Sequence, residues 1–178
     1  MKIVYLVILI GLYSSCSASL EVVEQPTEYS MVIGNRDFQG AIFSEDVECS
    51  YCFQSEERFS PTLRNIQVAE EILRNSLRQE NSEKTNQGKG CPVIHKNLKN
   101  YRRQYFGYVN QEGDSIVYTI FEWDRYSIFD RVRGSVKDES EHWKKEMVMV
   151  FDGCSHYWVV NINISRRSLF GLGINGVG

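Results

Sequence analysis

The chain has 178 residues and a formal net charge of −3, with 42% hydrophobic and 24% charged residues. A weakly acidic chain is a poor non-specific nucleic-acid binder, so that class is excluded first. The apolar content is ordinary for a globular protein, and a chain of this length buries enough of it to fold without a metal or other cofactor.

Met1-Lys2 opens with a positive charge, Ile3 to Tyr13 is an apolar run broken by Gly11, and Ser14-Ser15-Cys16 follows. A membrane-spanning helix needs roughly 20 apolar residues, more than this run supplies. A positive start, a short apolar stretch and small residues are the layout of an export signal. Residues 1–15 are therefore read as a signal peptide and Cys16 as the lipid-attachment cysteine of an envelope lipoprotein. Cleavage after Ala18 is the competing outcome and would release a soluble secreted or periplasmic protein. Tyr13 fits poorly three places before a lipidated cysteine, whereas Ser14 and Ser15 fit well.

Residues 16–27 are polar and contain Pro26, as a tether between lipid and domain would. The remainder, residues 28–178, is read as a single α+β domain with its core in about 59–178. In 28–58, short apolar pieces at Met31–Ile33 and Ala41–Phe43 alternate with Gly34, Gly40 and acidic residues, which predicts irregular structure or short edge strands. Ser60 can serve as N-cap and Pro61 suits a first helical position. Leu63, Ile66, Ala69, Ile72, Leu73 and Leu77 recur at helical spacing, so an amphipathic helix is predicted over 61–79, with Arg64, Glu70, Glu71, Arg74 and Arg78 on its other faces. Asn81 to Gly90 is polar with two glycines and reads as a loop.

The pattern then turns β-like. Gln104–Val109 and Ser115–Trp123 flank Asn110-Gln111-Glu112-Gly113-Asp114, a predicted hairpin. Lys145–Phe151 is the next predicted strand, Asp152-Gly153-Cys154-Ser155 a turn, Trp158–Ile164 an alternating half-buried strand, and Leu169–Ile174 the last. The charged stretch 124–143 is longer than a hairpin needs and allows a short helix around 138–143. One N-terminal helix followed by four or more antiparallel strands predicts a two-layer domain, a curved sheet wrapped over the helix in a cystatin-like arrangement.

Cys91-Pro92-Val93-Ile94-His95-Lys96-Asn97-Leu98, Tyr101–Tyr108, Asp152–Trp158 and the terminal Ile174-Asn175-Gly176 carry a resemblance. Over roughly 59–178 plus the signal, the chain resembles small lipoproteins of Bacteroidota-type bacteria whose function is unknown. Their usual ending is Asn-Gly, one residue and Ala, whereas this chain ends Val177-Gly178. The resemblance implies an envelope address and a compact domain, and it implies no reaction.

Of the five cysteines, acylation of Cys16 leaves Cys49, Cys52, Cys91 and Cys154, an even number in an oxidising compartment. A long-range Cys91–Cys154 disulfide is expected, with Cys49 and Cys52 forming a local bridge or remaining free. Cys49-x-x-Cys52 has redox spacing, but its acidic flanks would raise rather than lower a thiol pKa, which favours a structural role. Cys154 and His156 are too closely spaced for the usual second half of a zinc site, so no metal is expected. His95, His142 and His156 with Ser155 allow a triad only on paper, since no G-x-S-x-G occurs.

Glu122 and Asp124 share a strand face beside Trp123, which permits a sugar site, though a strand end running into a charged loop is the better account of them. Tyr101, Arg102, Arg103, Tyr105, Phe106 and Tyr108 interleave cations and rings, for which sheet packing is a better account than base stacking. Asn163-Ile164-Ser165 is a glycosylation sequon, meaningful only in a eukaryotic secretory pathway. The expected function is that of a non-enzymatic binding module, held on a membrane through its lipid and engaging a protein or glycan but no nucleic acid. The alternative is an extracytoplasmic hydrolase or thiol enzyme, which would need titratable side chains gathered in one pocket.

Overall fold

The computed structural model of the chain describes residues 19–47, 57–88, 90–125 and 141–177. The export segment, Cys16 and the Cys49/Cys52 pair lie outside the described residues. In chain order the elements are β1 (Glu21–Thr27), β2 (Ser30–Gly34), β3 (Gln39–Phe43), β4 (Glu57–Phe59), α1 (Leu63–Glu80), α2 (Ile94–Asn97), β5 (Tyr101–Val109), β6 (Ser115–Trp123), α3 (His142–Lys145), β7 (Tyr157–Asn163) and β8 (Ser168–Ile174). Among the described residues this is an α+β fold with one open, mostly antiparallel sheet of eight strands, in the order β1-β2-β3-β5-β6-β7-β8, with β4 also on β5.

Four strands precede the long helix, so α1 is not the first element. Asn35 turns β2 into β3 by accepting from the Asp37 and Phe38 amides at 2.8 and 3.1 Å. Glu21–Thr27, expected as tether, is an edge strand on β2. Its register slips around Glu24 and its Pro26 sits where an edge strand tolerates a missing amide donor. β3 then runs parallel to β5, with Ala41 opposite Gln104. β4 takes the remainder of that β5 edge, and Phe59 lies opposite Gly107. A side chain at Gly107 would drive into the Phe59 carbonyl, so the close approach of β4 requires glycine there.

The helix starts later than expected. Thr62 is its N-cap: the Thr62 hydroxyl accepts from the Asn65 amide (3.2 Å) and the Asn65 side chain accepts from the Thr62 amide (2.9 Å). Ser60 is not free to cap, because it exchanges hydrogen bonds with Glu45 at 3.1 and 3.2 Å. The apolar stripe Ile66, Ala69, Ile72, Leu73 and Leu77 is buried as its spacing predicts, against Tyr105, Val117, Phe121, Trp158, Val160 and Ile162 of the sheet.

The β5–β6 hairpin forms around Asn110–Asp114, with the Asn110 side chain accepting from the Glu112 and Asp114 amides. Lys145–Phe151 is not a strand. Both edges of β6, the strand that precedes it, are occupied by β5 and β7, so this segment cannot extend the sheet beside β6. It crosses the sheet face opposite α1 instead. There the Gln104 amide donates to the carbonyls of Trp143 and Glu146 at 2.7 Å and accepts from the Val148 amide at 2.8 Å. One buried side chain thus replaces a ladder as partner for the crossing backbone. Trp143 packs below it with Val32, Ala41, Phe43, Phe106 and Ile120, a second apolar cluster on the far face. The short helix expected around 138–143 begins at His142.

The expected Cys91–Cys154 pairing is present at disulfide distance, with Cα atoms 6.0 Å apart. It ties the segment before α2 to the Gly153-Cys154 turn, where Gly153 and Cys154 have positive φ of 88° and 49°.

Candidate functional site

Several residues of interest in the sequence are consumed by structure. Arg103, 2% exposed, donates from Nε to Glu70 Oε1 at 2.9 Å and from its other nitrogens to the Tyr101 and Leu98 carbonyls. Its guanidinium lies 3.8 Å from the Phe38 ring centroid. The Tyr105 hydroxyl donates to the same Glu70 oxygen at 2.8 Å. Burial first, and the Glu70 carboxylate second, push the Tyr105 phenol well above its ordinary range. Tyr101, Tyr105 and Phe106 are fully buried in the two cores, so their rings are not offered to bases.

Glu122 is clamped by Arg102 through Nε and Nη2 at 2.5 and 2.6 Å and accepts from the Tyr157 hydroxyl at 3.1 Å. Asp124 shares the same arginine at 4.0 Å. Trp123 faces the opposite side, edge-on to Tyr101 and His156. The Ser155 hydroxyl donates to the Pro92 carbonyl at 2.6 Å, while His156 lies against Cys154 and the Gly153 carbonyl. His142 pairs with Glu146 on the surface. The three histidines thus serve three separate places. Among the described residues no group of three acidic, histidine or cysteine side chains is placed to hold a metal.

What the structure does assemble is a basic cleft of about 650 Å³ between the C-terminal half of α1, the loop after it and α2. Arg74 and Arg78 come from α1, Lys84 from the loop, and His95 and Lys96 from α2; no carboxylate lines it. Arg74 has a loose contact with Glu70 at 4.0 Å, and among the described residues no ion pair engages Arg78, Lys84 or Lys96. Leu73 and Leu77 lie at its base and Leu98 on its wall.

An amide chain beneath the cleft sets the state of His95. Gln87 Oε1 accepts from the Ile94 amide at 2.9 Å, which fixes the direction of its side chain. Gln87 Nε2 therefore donates to Asn81 Oδ1 (2.6 Å), and Asn81 Nδ2 donates to Gln87 Oε1 (2.8 Å) and faces His95 Nδ1 (3.0 Å). His95 Nδ1 must accept, so the ring is the neutral tautomer with its proton on Nε2. Desolvation, then the charges of Lys96, Arg78 and Lys84, lower the His95 pKa in the same sense. Asn81 is 2% exposed and also closes α1, its amide donating to the Leu77 carbonyl.

By spacing alone Arg74 and Arg78 lie on a polar helix face and 81–90 is an ordinary loop. One sequence signal pointed further: like charges at i and i+4 oppose helix formation by a few tenths of a kcal/mol, a local conflict of the kind found at functional sites. The positive φ of Lys84 and Asn86 (52° and 53°) in the loop is visible only in the folded structure. No helix among the described residues is long and apolar enough to cross a membrane. No family model matches this chain, no curated protein matches it, and no solved structure matches it.

Proposed function

We propose that the chain is a non-catalytic binding module of the cell envelope, exported by residues 1–15, anchored to a membrane through lipid on Cys16, and binding an anionic ligand in the basic cleft. The observation that carries the binding reading is the convergence of Arg74, Arg78, Lys84 and Lys96 on one cleft whose lining contains no carboxylate. Four like charges held together repel one another, and a bound anion relieves that repulsion. The protein or glycan partner expected from the sequence qualifies in this reading where it presents a negative group. The address rests on the Ser14-Ser15-Cys16 junction after an apolar run. A cystatin-like arrangement is retained here only for α1 laid across the β5–β8 portion of the sheet.

Two experiments test these parts separately. Titration calorimetry with inorganic pyrophosphate should give binding that weakens between 20 and 200 mM salt and is reduced in Arg78→Gln; salt-independent binding, or none, removes the anion site. Cys16→Ala should release the protein from the membrane fraction or block its processing, and unchanged membrane retention would remove the lipid anchor.

A further inference from the structure

We propose that the ligand of the basic cleft is a phosphate monoester, a dianionic phosphate carried on an organic body, an inference that rests on the anion-site reading above. The first argument is charge. Among the described residues Arg78, Lys84 and Lys96 have no ion-pair partner and Arg74 only a loose one, so a monoanion leaves most of the positive charge uncompensated. A phosphate monoester carries about −1.5 to −2 at neutral pH and presents three strong acceptor oxygens.

The second argument is direction. The donors come from three separate pieces of chain: the helix surface at Arg74 and Arg78, the loop at Lys84, and α2 at Lys96. A planar carboxylate offers two oxygens in one plane, whereas tetrahedral phosphate oxygens accept from several directions at once. His95 adds a neutral donor. Its Nδ1 is occupied by Asn81, so Nε2–H is the polar group it has left to offer to a ligand. The Gln87–Asn81 amide pair, held by the Ile94 amide, keeps that tautomer in place.

The third argument is size. The cleft, at about 650 Å³, lies within the range that encloses whole small molecules, far larger than a bare phosphate requires. Leu98 and the aliphatic stems of the arginines and lysines give the rest of such a molecule an apolar wall. Lys84 is held in a left-handed conformation, φ 52°, which is strained for a side chain with a Cβ. Retaining lysine there, where glycine would be unstrained, fits a requirement for its charge at the rim.

The test compares three probes at pH 8, where the monoester is fully dianionic: phenyl phosphate, phenyl sulfate of the same shape with one charge, and inorganic phosphate without a body. Phenyl phosphate should bind about tenfold more tightly than phenyl sulfate and several-fold more tightly than inorganic phosphate. Lys84→Gln and Lys96→Gln should each weaken phenyl phosphate by about three- to tenfold with an unchanged melting temperature. Arg167→Gln, whose partner is Glu71 outside the cleft, should leave it unchanged. Competition by phosphatidylcholine vesicles containing phosphatidic acid would identify a lipid headgroup as the ester, and indifference to them a soluble one. Equal affinities for phenyl phosphate and phenyl sulfate, with pyrophosphate still bound, overturn the monoester inference alone. Failure of every anion, pyrophosphate included, overturns the anion site beneath it.

Discussion

Replacing Glu70 by alanine tests how the buried Glu70–Arg103–Tyr105 network locks the helix to the sheet. Glu70 and Arg103 have side chains 3% and 2% exposed, 2.9 Å apart, so the pair is screened by protein rather than water. Removing one member of a buried pair typically costs about 3–5 kcal/mol, because the remaining charge stays buried without its counterion. Arg103 would keep the carbonyls of Tyr101 and Leu98, which places the loss at the lower end of that range. Tyr105 adds to it, since its hydroxyl loses its acceptor in a fully buried position, a further cost of about 1–3 kcal/mol. A total near 4–6 kcal/mol would remove much of the about 5–15 kcal/mol that stabilises an ordinary domain. Urea unfolding followed by tryptophan fluorescence reads it directly. Glu70→Gln keeps an acceptor for Tyr105 and should cost distinctly less than Glu70→Ala. The triple variant Glu70→Leu, Arg103→Met, Tyr105→Phe removes the whole network and should recover most of the loss. A Glu70→Ala loss below about 1 kcal/mol, or a triple variant less stable than Glu70→Ala, would refute the network as described.

The remaining expectations concern the staple and the cleft. Cys91 and Cys154 are separated by 63 positions, and closing a loop of that length stabilises the fold by about 4 kcal/mol in the chain-entropy account. The double variant Cys91→Ser, Cys154→Ser should lose stability of that order in non-reducing urea unfolding, and a loss under about 1 kcal/mol would mean the thiols are unpaired in solution. Lys84→Gly relieves left-handed strain but loosens the unfolded chain, so its melting temperature should hardly move while pyrophosphate binding weakens; a large destabilisation would contradict the strain argument. His95 should titrate below its ordinary range in an NMR experiment, with Nε2–H the neutral tautomer, and Lys96→Gln should raise its midpoint. Because the folded pKa is depressed, the unfolded chain binds the proton more readily. The His95 contribution is therefore full above the ordinary histidine pKa and is lost as pH falls from that value through the folded one. A midpoint at or above the ordinary value would remove the cationic surroundings from the account.

Local physics made much of this protein legible before any fold was known. The spacing from Leu63 to Leu77 specified an amphipathic helix and its buried stripe, because a helix face depends only on residues three and four apart. The β5–β6 hairpin was readable from Asn110–Asp114, and β7 from the alternation around Trp158, since turn chemistry and strand period are equally local. The N-cap lies two residues beyond Ser60, at Thr62, because Ser60 is claimed by Glu45, fifteen positions earlier in the chain. Lys145–Phe151 has a strand-like pattern and is not a strand, because β7 takes the place beside β6 and the Gln104 side chain partners the crossing backbone instead.

The parallel pairing of β3 with β5 joins Gly40 to Arg103 across a long intervening stretch, and no local pattern encodes such a partner. Arg103 shows the same division at a single residue. Its sequence neighbours suggested a cation on an aromatic strand, but only tertiary packing put Glu70 and Phe38 against it. The cleft follows the same rule. Arg74, Arg78, Lys84 and Lys96 are individually unremarkable as surface charges, and they become a site because the end of α1 and the start of α2 are folded against each other. Periodicity and turn chemistry act over a few residues and are written into the sequence, whereas convergence of charge is a property of contacts that exist only once the chain has closed.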